Sequence, residues 1–179
     1  MSIRSAAVTV LTTADPAEKV RLSRRFAEEW RTGALAGIEP PGPPVPPDRP
    51  ARPDYPELRL PRDMPPRRKA GSVAGRTALI HALAHIELNA IDLSWDIVAR
   101  FGAEMPKGFT DDWVQVADDE ARHFDMLCRR LADLGSHILS LARFLLGPVA
   151  ALWTVDSLDE AIEIANSHPY GLGASIWSN

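Results

Sequence analysis

Twelve of the chain's sixteen prolines fall between positions 39 and 66, in a stretch that opens EPPGPPVPPDRPARPDYP. Proline fixes φ and carries no amide donor, so this stretch can form neither a helix nor a central strand. It is expected to be an extended, polyproline-rich strap. Two roles compete for such a segment: a ligand for another domain, or a strap over the chain's own surface. Tyr55, Leu58, Leu60 and Met64 punctuate it as apolar anchors and favour the second.

Regular structure is expected on either side of the strap. Upstream, Asp15 and Pro16 supply an N-cap and an N1 proline, and Glu18 completes a capping-box pattern. One helix follows through VRLSRRFAEEW and stops near Gly33, with Val20, Phe26 and Trp30 as its apolar stripe. Downstream, RTALIHALAHIELNAIDLSWDIVARF has helical periodicity from about Gly75 to Arg100, and Gly102 and Pro106 end it. A second long helix is expected to start at Thr110 as N-cap, with Asp111 and Asp112 in its first turn, and to close at Gly135. The short connection predicts an antiparallel hairpin. Beyond Ser136, the nearly uncharged HILSLARFLLGPVAALWTV, the helical DEAIEIAN and the strand-like ASIWSN suggest a β-α-β alternation. The expected division is therefore 1–38, N-terminal helix; 39–74, strap; 75–135, hairpin; and 136–179, a C-terminal appendage.

The hydrophobic fraction of 45% and charged fraction of 25% are those of a soluble globular protein. A net charge of -4 offers no electrostatic argument for nucleic acid or an anionic membrane. The basic group Arg62, Arg67, Arg68 and Lys69 reads as a solvated linker end. One cysteine, Cys128, excludes an intramolecular disulfide and a cysteine-based zinc site, and its place beside Phe124 and Leu127 marks it as a small core residue. MSIRSAAVTV lacks the apolar run of a signal peptide, and no stretch approaches the roughly 20 apolar residues of a membrane span. A cytoplasmic protein is expected.

The hairpin carries the chemistry. In DDEARHF, Glu120 and His123 stand three residues apart on a face otherwise built from Trp113, Val116, Ala117, Phe124 and Leu127. On the preceding helix Glu87 is set among Ile80, Leu83, Ala84, Ala90 and Ile91, whereas His85, Asn89, Asp92 and Asp96 form a more polar face. A carboxylate on an apolar stripe costs several kcal/mol, roughly, unless something compensates it. A buried salt bridge, a hydrogen-bond network or a metal ion would do so. Antiparallel packing would bring Glu87 against Glu120 and His123. One Glu facing a Glu-x-x-His is half of the ligand set of di-iron and di-manganese four-helix bundles. His81 and His85 point away from Glu87 and are expected to be surface or supporting residues.

GRTALIHALAHIELNAIDLSWDIVARF, MPKGFTDDWVQVADDEARHF and RLADLGS together resemble the bacterial ferritin-like family filed as domain of unknown function 455. The ADPAEKV helix and PDRPARP strap extend the resemblance from residue 1 to about 136. It implies a mainly α fold, with a ferritin-like hairpin that is half of a four-helix bundle, distantly similar to di-iron hydroxylases that modify tRNA. It also implies Glu87, Glu120 and His123 as ligands of iron or manganese. That family has no established reaction, so neither a substrate nor a catalytic residue follows. A complete bundle needs a further Glu helix and a second Glu-x-x-His, and no second Glu-x-x-His follows residue 123.

LGPVAALWTVDSLDEAIEIANSHPYGLGASIWSN is similar instead to a C-terminal part of NAD(P)-dependent aldehyde dehydrogenases, over about residues 146–179. The glutamate that precedes Phe-Gly-Pro in those enzymes and contacts the nicotinamide ribose is missing. Phe144 and Leu146 stand there before Gly147 and Pro148, so no NAD(P) binding is expected. Cys128, in the hairpin, cannot replace the dehydrogenase nucleophile. The expectation is a truncated di-iron-type metal-binding protein, an oxidoreductase or hydroxylase relative, inactive as a monomer and completed by homodimerisation. The alternative is a non-functional fusion, or a dehydrogenase remnant serving as an interaction element.

Overall fold

The computed structural model describes residues 1–38, 42–54, 58–59, 72–138, 144–145 and 157. The chain divides into two compact units, Met1–Pro148 and Val149–Asn179, and every element below belongs to the first. Four helices dominate it: α1 (Ile3–Leu11), α2 (Pro16–Arg31), α3 (Val73–Phe101) and α4 (Lys107–Asp133). Two-residue strands β1 (Leu58–Arg59) and β2 (Phe144–Leu145) pair in parallel. The rest of the expected β-α-β segment and the side chains of Tyr55, Leu58, Leu60 and Met64 lie outside the described residues.

Residues 1–38 form two helices, not one. IRSAAVTVL is short, but Ser2 caps it by accepting a hydrogen bond from the Ser5 amide, and six of its nine residues are buried. A nine-residue helix this apolar is stable only when packed, because helix nucleation is unfavourable in isolation. α2 begins as its cap predicts, with Pro16 at N1 and the Glu18 amide donating to Asp15 Oδ1 at 2.8 Å. The reciprocal half of the capping box is not made, because the Glu18 carboxylate turns to Arg21. Gly33, at φ +73°, ends α2 in the left-handed conformation that glycine adopts without steric cost.

α3 and α4 form the antiparallel hairpin, with Ser72 as N-cap of α3 and Gly135, at φ +69°, just beyond α4. α4 starts earlier than Thr110 suggests. Its N-cap position is Pro106, which makes no side-chain cap, while Thr110 is buried inside the first turns. Gly102 lets the two helix ends approach: a Cβ there would lie 2.7 Å from the Val98 carbonyl oxygen and 3.1 Å from Thr110 Oγ1.

α1 packs on α3 and α2 on α4, so the N-terminal pair covers one face of the hairpin. Leu11, Phe26, Ile91, Trp95, Phe124 and Leu131 fill the space between the layers, each worth about 1.5–3 kcal/mol of apolar burial before entropy is counted. One hydroxyl ties three helices together. Trp95 Nε1 donates to Ser23 Oγ at 2.8 Å, and Ser23 donates on to the Ala117 carbonyl at 3.1 Å.

The polar face expected on α3 is turned inward. Asp92 is buried between the ammonium of Lys19 and the guanidinium of Arg52, and Arg52 also donates to Asn89. His85 is buried beside Asn89 at 2.9 Å, and His81 is buried near Ser136, so neither is a surface residue. Arg52 comes from the proline-rich segment, of which the described residues 42–54 lie against the chain's own helices. Arg4 donates to the Pro44 carbonyl, Arg100 to Pro47 and Lys19 to Ala51, while the Ala51 amide donates to Leu11.

Candidate metal centre

Glu87 stands near the middle of α3, and Glu120 and His123 lie one turn apart on α4. Residues i and i+3 share a helix face, so the two α4 side chains reach the same point. His123 Nδ1 lies 3.0 Å from Glu120 Oε2 and 3.7 Å from Glu87 Oε2. One ligand atom from each of the three falls within 4.8 Å of the other two, and theirs is the one such grouping of three among the described residues.

The group sits at the rim of the hairpin interface, on the face away from α1 and α2. Ala84, Ile91, Ala117 and Phe124 are buried on one side of it, whereas Leu83 and Val116 are exposed on the other. The apolar stripe expected around these residues is therefore half core and half surface. Side-chain exposure is 22% for Glu87, 23% for Glu120 and 47% for His123.

That position shifts the chemistry of Glu87. Partial burial is the largest cause pushing its carboxyl up to about 7, and the hydrogen bond and charge of Glu120 add to it. His123 acts in the opposite direction. Two carboxylates facing one another resist simultaneous ionisation unless a cation stands between them.

His81 and His85 take no part. Burial holds both imidazoles down at about 4, with His137 adding to the effect at His81 and Arg52 at His85. Cys128 is half-buried; burial, and secondarily Asp125, push its thiol up to about 11, which makes it a poor nucleophile. The Lys19–Asp92–Arg52 cluster escaped the sequence reading. Its only local signal was a lysine at the foot of the α2 apolar stripe, one turn before Leu22 and Ser23. Among the described residues no helix is long and apolar enough to cross a membrane.

Comparison with known proteins agrees with a chain of two unlike parts. An uncharacterized protein of Haemophilus influenzae is 41% identical over 86 residues, which are 45% of this chain and 30% of that protein. Residues 140–179 match the aldehyde dehydrogenase family. There, a probable succinate-semialdehyde dehydrogenase [NADP(+)] of Synechocystis is 62% identical over 32 residues, 18% of this chain and 7% of that enzyme. Aldehyde dehydrogenase B of Escherichia coli is 53% identical over 32 residues, 18% of this chain and 6% of that enzyme. The chain thus spans less than a third of the length of each of these relatives. No solved structure matches it. The family described as "Protein of unknown function (DUF455)" matches residues 12–138, which include all of α2, α3 and α4 and every residue of the Glu87–Glu120–His123 group, and the chain belongs to that family.

Proposed function

We propose that the chain is a ferritin-like metal-binding protein in which Glu87, Glu120 and His123 hold an iron or manganese ion. The observation that carries this reading is the convergence of two carboxylates and an imidazole, from two helices, within 4.8 Å of one another. Oxygen donors with one imidazole suit these metals better than soft thiolate sites do. A cation would also relieve the opposition between Glu87 and Glu120, which adds to burial in raising Glu87 to about 7. Glu120 and His123 would grip the ion from one turn of α4, and Glu87 would close on it from α3. A metal of this type supplies redox or Lewis-acid chemistry when bound. Di-metal bundles take further Glu and Glu-x-x-His ligands from two more helices, so the hairpin supplies half of such a set.

The test is equilibrium dialysis of metal-free protein against Mn(II), read as bound ion per chain. About one ion per chain is expected by the ligand count of such bundles, with binding abolished in Glu120→Ala and His123→Ala. An unchanged affinity in both variants would remove the reading.

A second reading concerns residues 140–179, because two family matches abut there, one ending at 138 and the other beginning at 140. This segment would be a dehydrogenase-derived element, acting in an interaction or not at all. Reading the DNA around the codons for Gly135 to Gly147 tests the join. Another frame that continues with a Glu helix and a second Glu-x-x-His would mark it as a frameshift. Failure to retain a full-length aldehyde dehydrogenase in a pull-down would count against the interaction role.

A further inference from the structure

The face of the hairpin away from α1 and α2 carries an ordered pattern on α4. Asp112, Val116, Asp119, His123, Met126 and Arg130 follow one another at spacings of four, three, four, three and four, which is the seam of a heptad repeat. All six are exposed or partly exposed, and Met126 is 58% exposed. Reversing the order of this seam about Ala121 pairs Asp112 with Arg130, Val116 with Met126 and Asp119 with His123. Opposite charges meet at the ends, Val116 and Met126 lie inside them, and Asp119 meets His123 at the centre. The seam complements an antiparallel copy of itself.

α3 carries a second seam on the same face. Leu79, Leu83 and Ile86 are exposed large apolar residues, and Ala90 and Leu93 continue the spacing. Reversal about position 88 pairs Leu83 with Leu93 and Ile86 with Ala90. Positions 88 and 121 stand within about a helical turn of one level of the hairpin, because Glu87 reaches to 3.7 Å from His123. A single two-fold axis crossing both helices is therefore compatible with the α4 register and with the Leu83–Leu93 part of the α3 seam, while Leu79 falls opposite the buried Ile97.

From this coincidence we infer that a second copy of the chain docks on this face, each long helix antiparallel to its counterpart. The interface is isologous, so each contact is made twice. It brings both Glu87–Glu120–His123 groups to the axis and supplies each with the ligands that one hairpin lacks. This pairing rests on the metal-binding reading in one respect. Closure would gather four carboxylates, and a bound cation is what offsets their repulsion.

The test is the solution mass of the full chain by light scattering, with and without Mn(II), for the wild type and for charge reversals at two exposed positions. With Mn(II) the wild type should run at about twice its 19.6 kDa. Asp112→Arg and Arg130→Asp, each creating two like-charged contacts per dimer, should each weaken association by about tenfold. The double variant Asp112→Arg/Arg130→Asp should restore it. A single-chain mass in Mn(II) overturns the pairing, and if dialysis shows bound ion in that sample the metal reading survives alone. A charge-sensitive, rescued dimer that binds no ion supports the pairing and removes the metal reading. A dimer indifferent to the single reversals, or not rescued by the double one, overturns the antiparallel register.

Discussion

Lys19 of α2 and Asp92 of α3, 73 positions apart, form an ion pair sealed from solvent. Arg52 closes on the other oxygen of the same carboxylate. The three charges do not cancel: Asp92 holds both cations, which repel one another, while Lys19 also donates to the Ala51 carbonyl and Arg52 to the Asn89 side-chain oxygen.

This arrangement ranks two substitutions. Asp92→Ala leaves two buried cations without a counter-ion and should cost about 3–5 kcal/mol. Lys19→Met removes one cation but leaves Arg52 to neutralise Asp92, so it should cost clearly less. Urea unfolding of both variants measures the order. A Lys19→Met loss equal to or larger than that of Asp92→Ala would contradict the account.

The two buried histidines set an acid limit. Both fold with imidazoles near 4, against 6.5 in an unfolded chain, chiefly through burial. Between those values the unfolded chain binds protons that the folded one refuses, so stability falls as pH drops from about 6.5 to about 4 and then levels. The combined loss should be about 2–4 kcal/mol. Urea midpoints across this range measure it, and His85→Gln should flatten the slope. A midpoint independent of pH between 6.5 and 4 would exclude the effect.

Glu87 has the opposite sign. Its folded carboxyl titrates near 7, above its usual 4.5, so the folded chain is favoured below 4.5 and loses that stability as pH rises through 7. In metal-free protein at pH 8, Glu87→Gln should raise stability by about 1–2 kcal/mol, discounted for its partial exposure. The gain should vanish at pH 4.5. Thermal melts at the two pH values decide it; a variant less stable than wild type at pH 8 would show that Glu87 is held by contacts other than those described.

The hairpin was legible because its helices are long and keep one period throughout, and the antiparallel packing that their short connection implies is what brings Glu87 toward Glu120 and His123. α1 was not legible. IRSAAVTVL is only nine residues long and its polar face is limited to Arg4, Ser5 and Thr9, too few to mark a helical period, and packing against α3 is what reveals its register. Thr110 misled because a good capping residue lay three positions inside a helix whose start carries no side-chain cap. The face of α3 bearing His85 and Asp92 is polar in sequence yet buried in the fold. Its partners come from α2 and the strap, and no local pattern in α3 encodes their arrival.

Arg4, Lys19 and Arg100 grip the strap at Pro44, Ala51 and Pro47 by their carbonyl oxygens. Those oxygens belong to the backbone and survive almost any replacement of the residue that bears them. Drift in sequence along this ribbon should therefore be cheap so long as its extended shape persists. Arg52, which reaches inward with its own side chain, is where drift should stop.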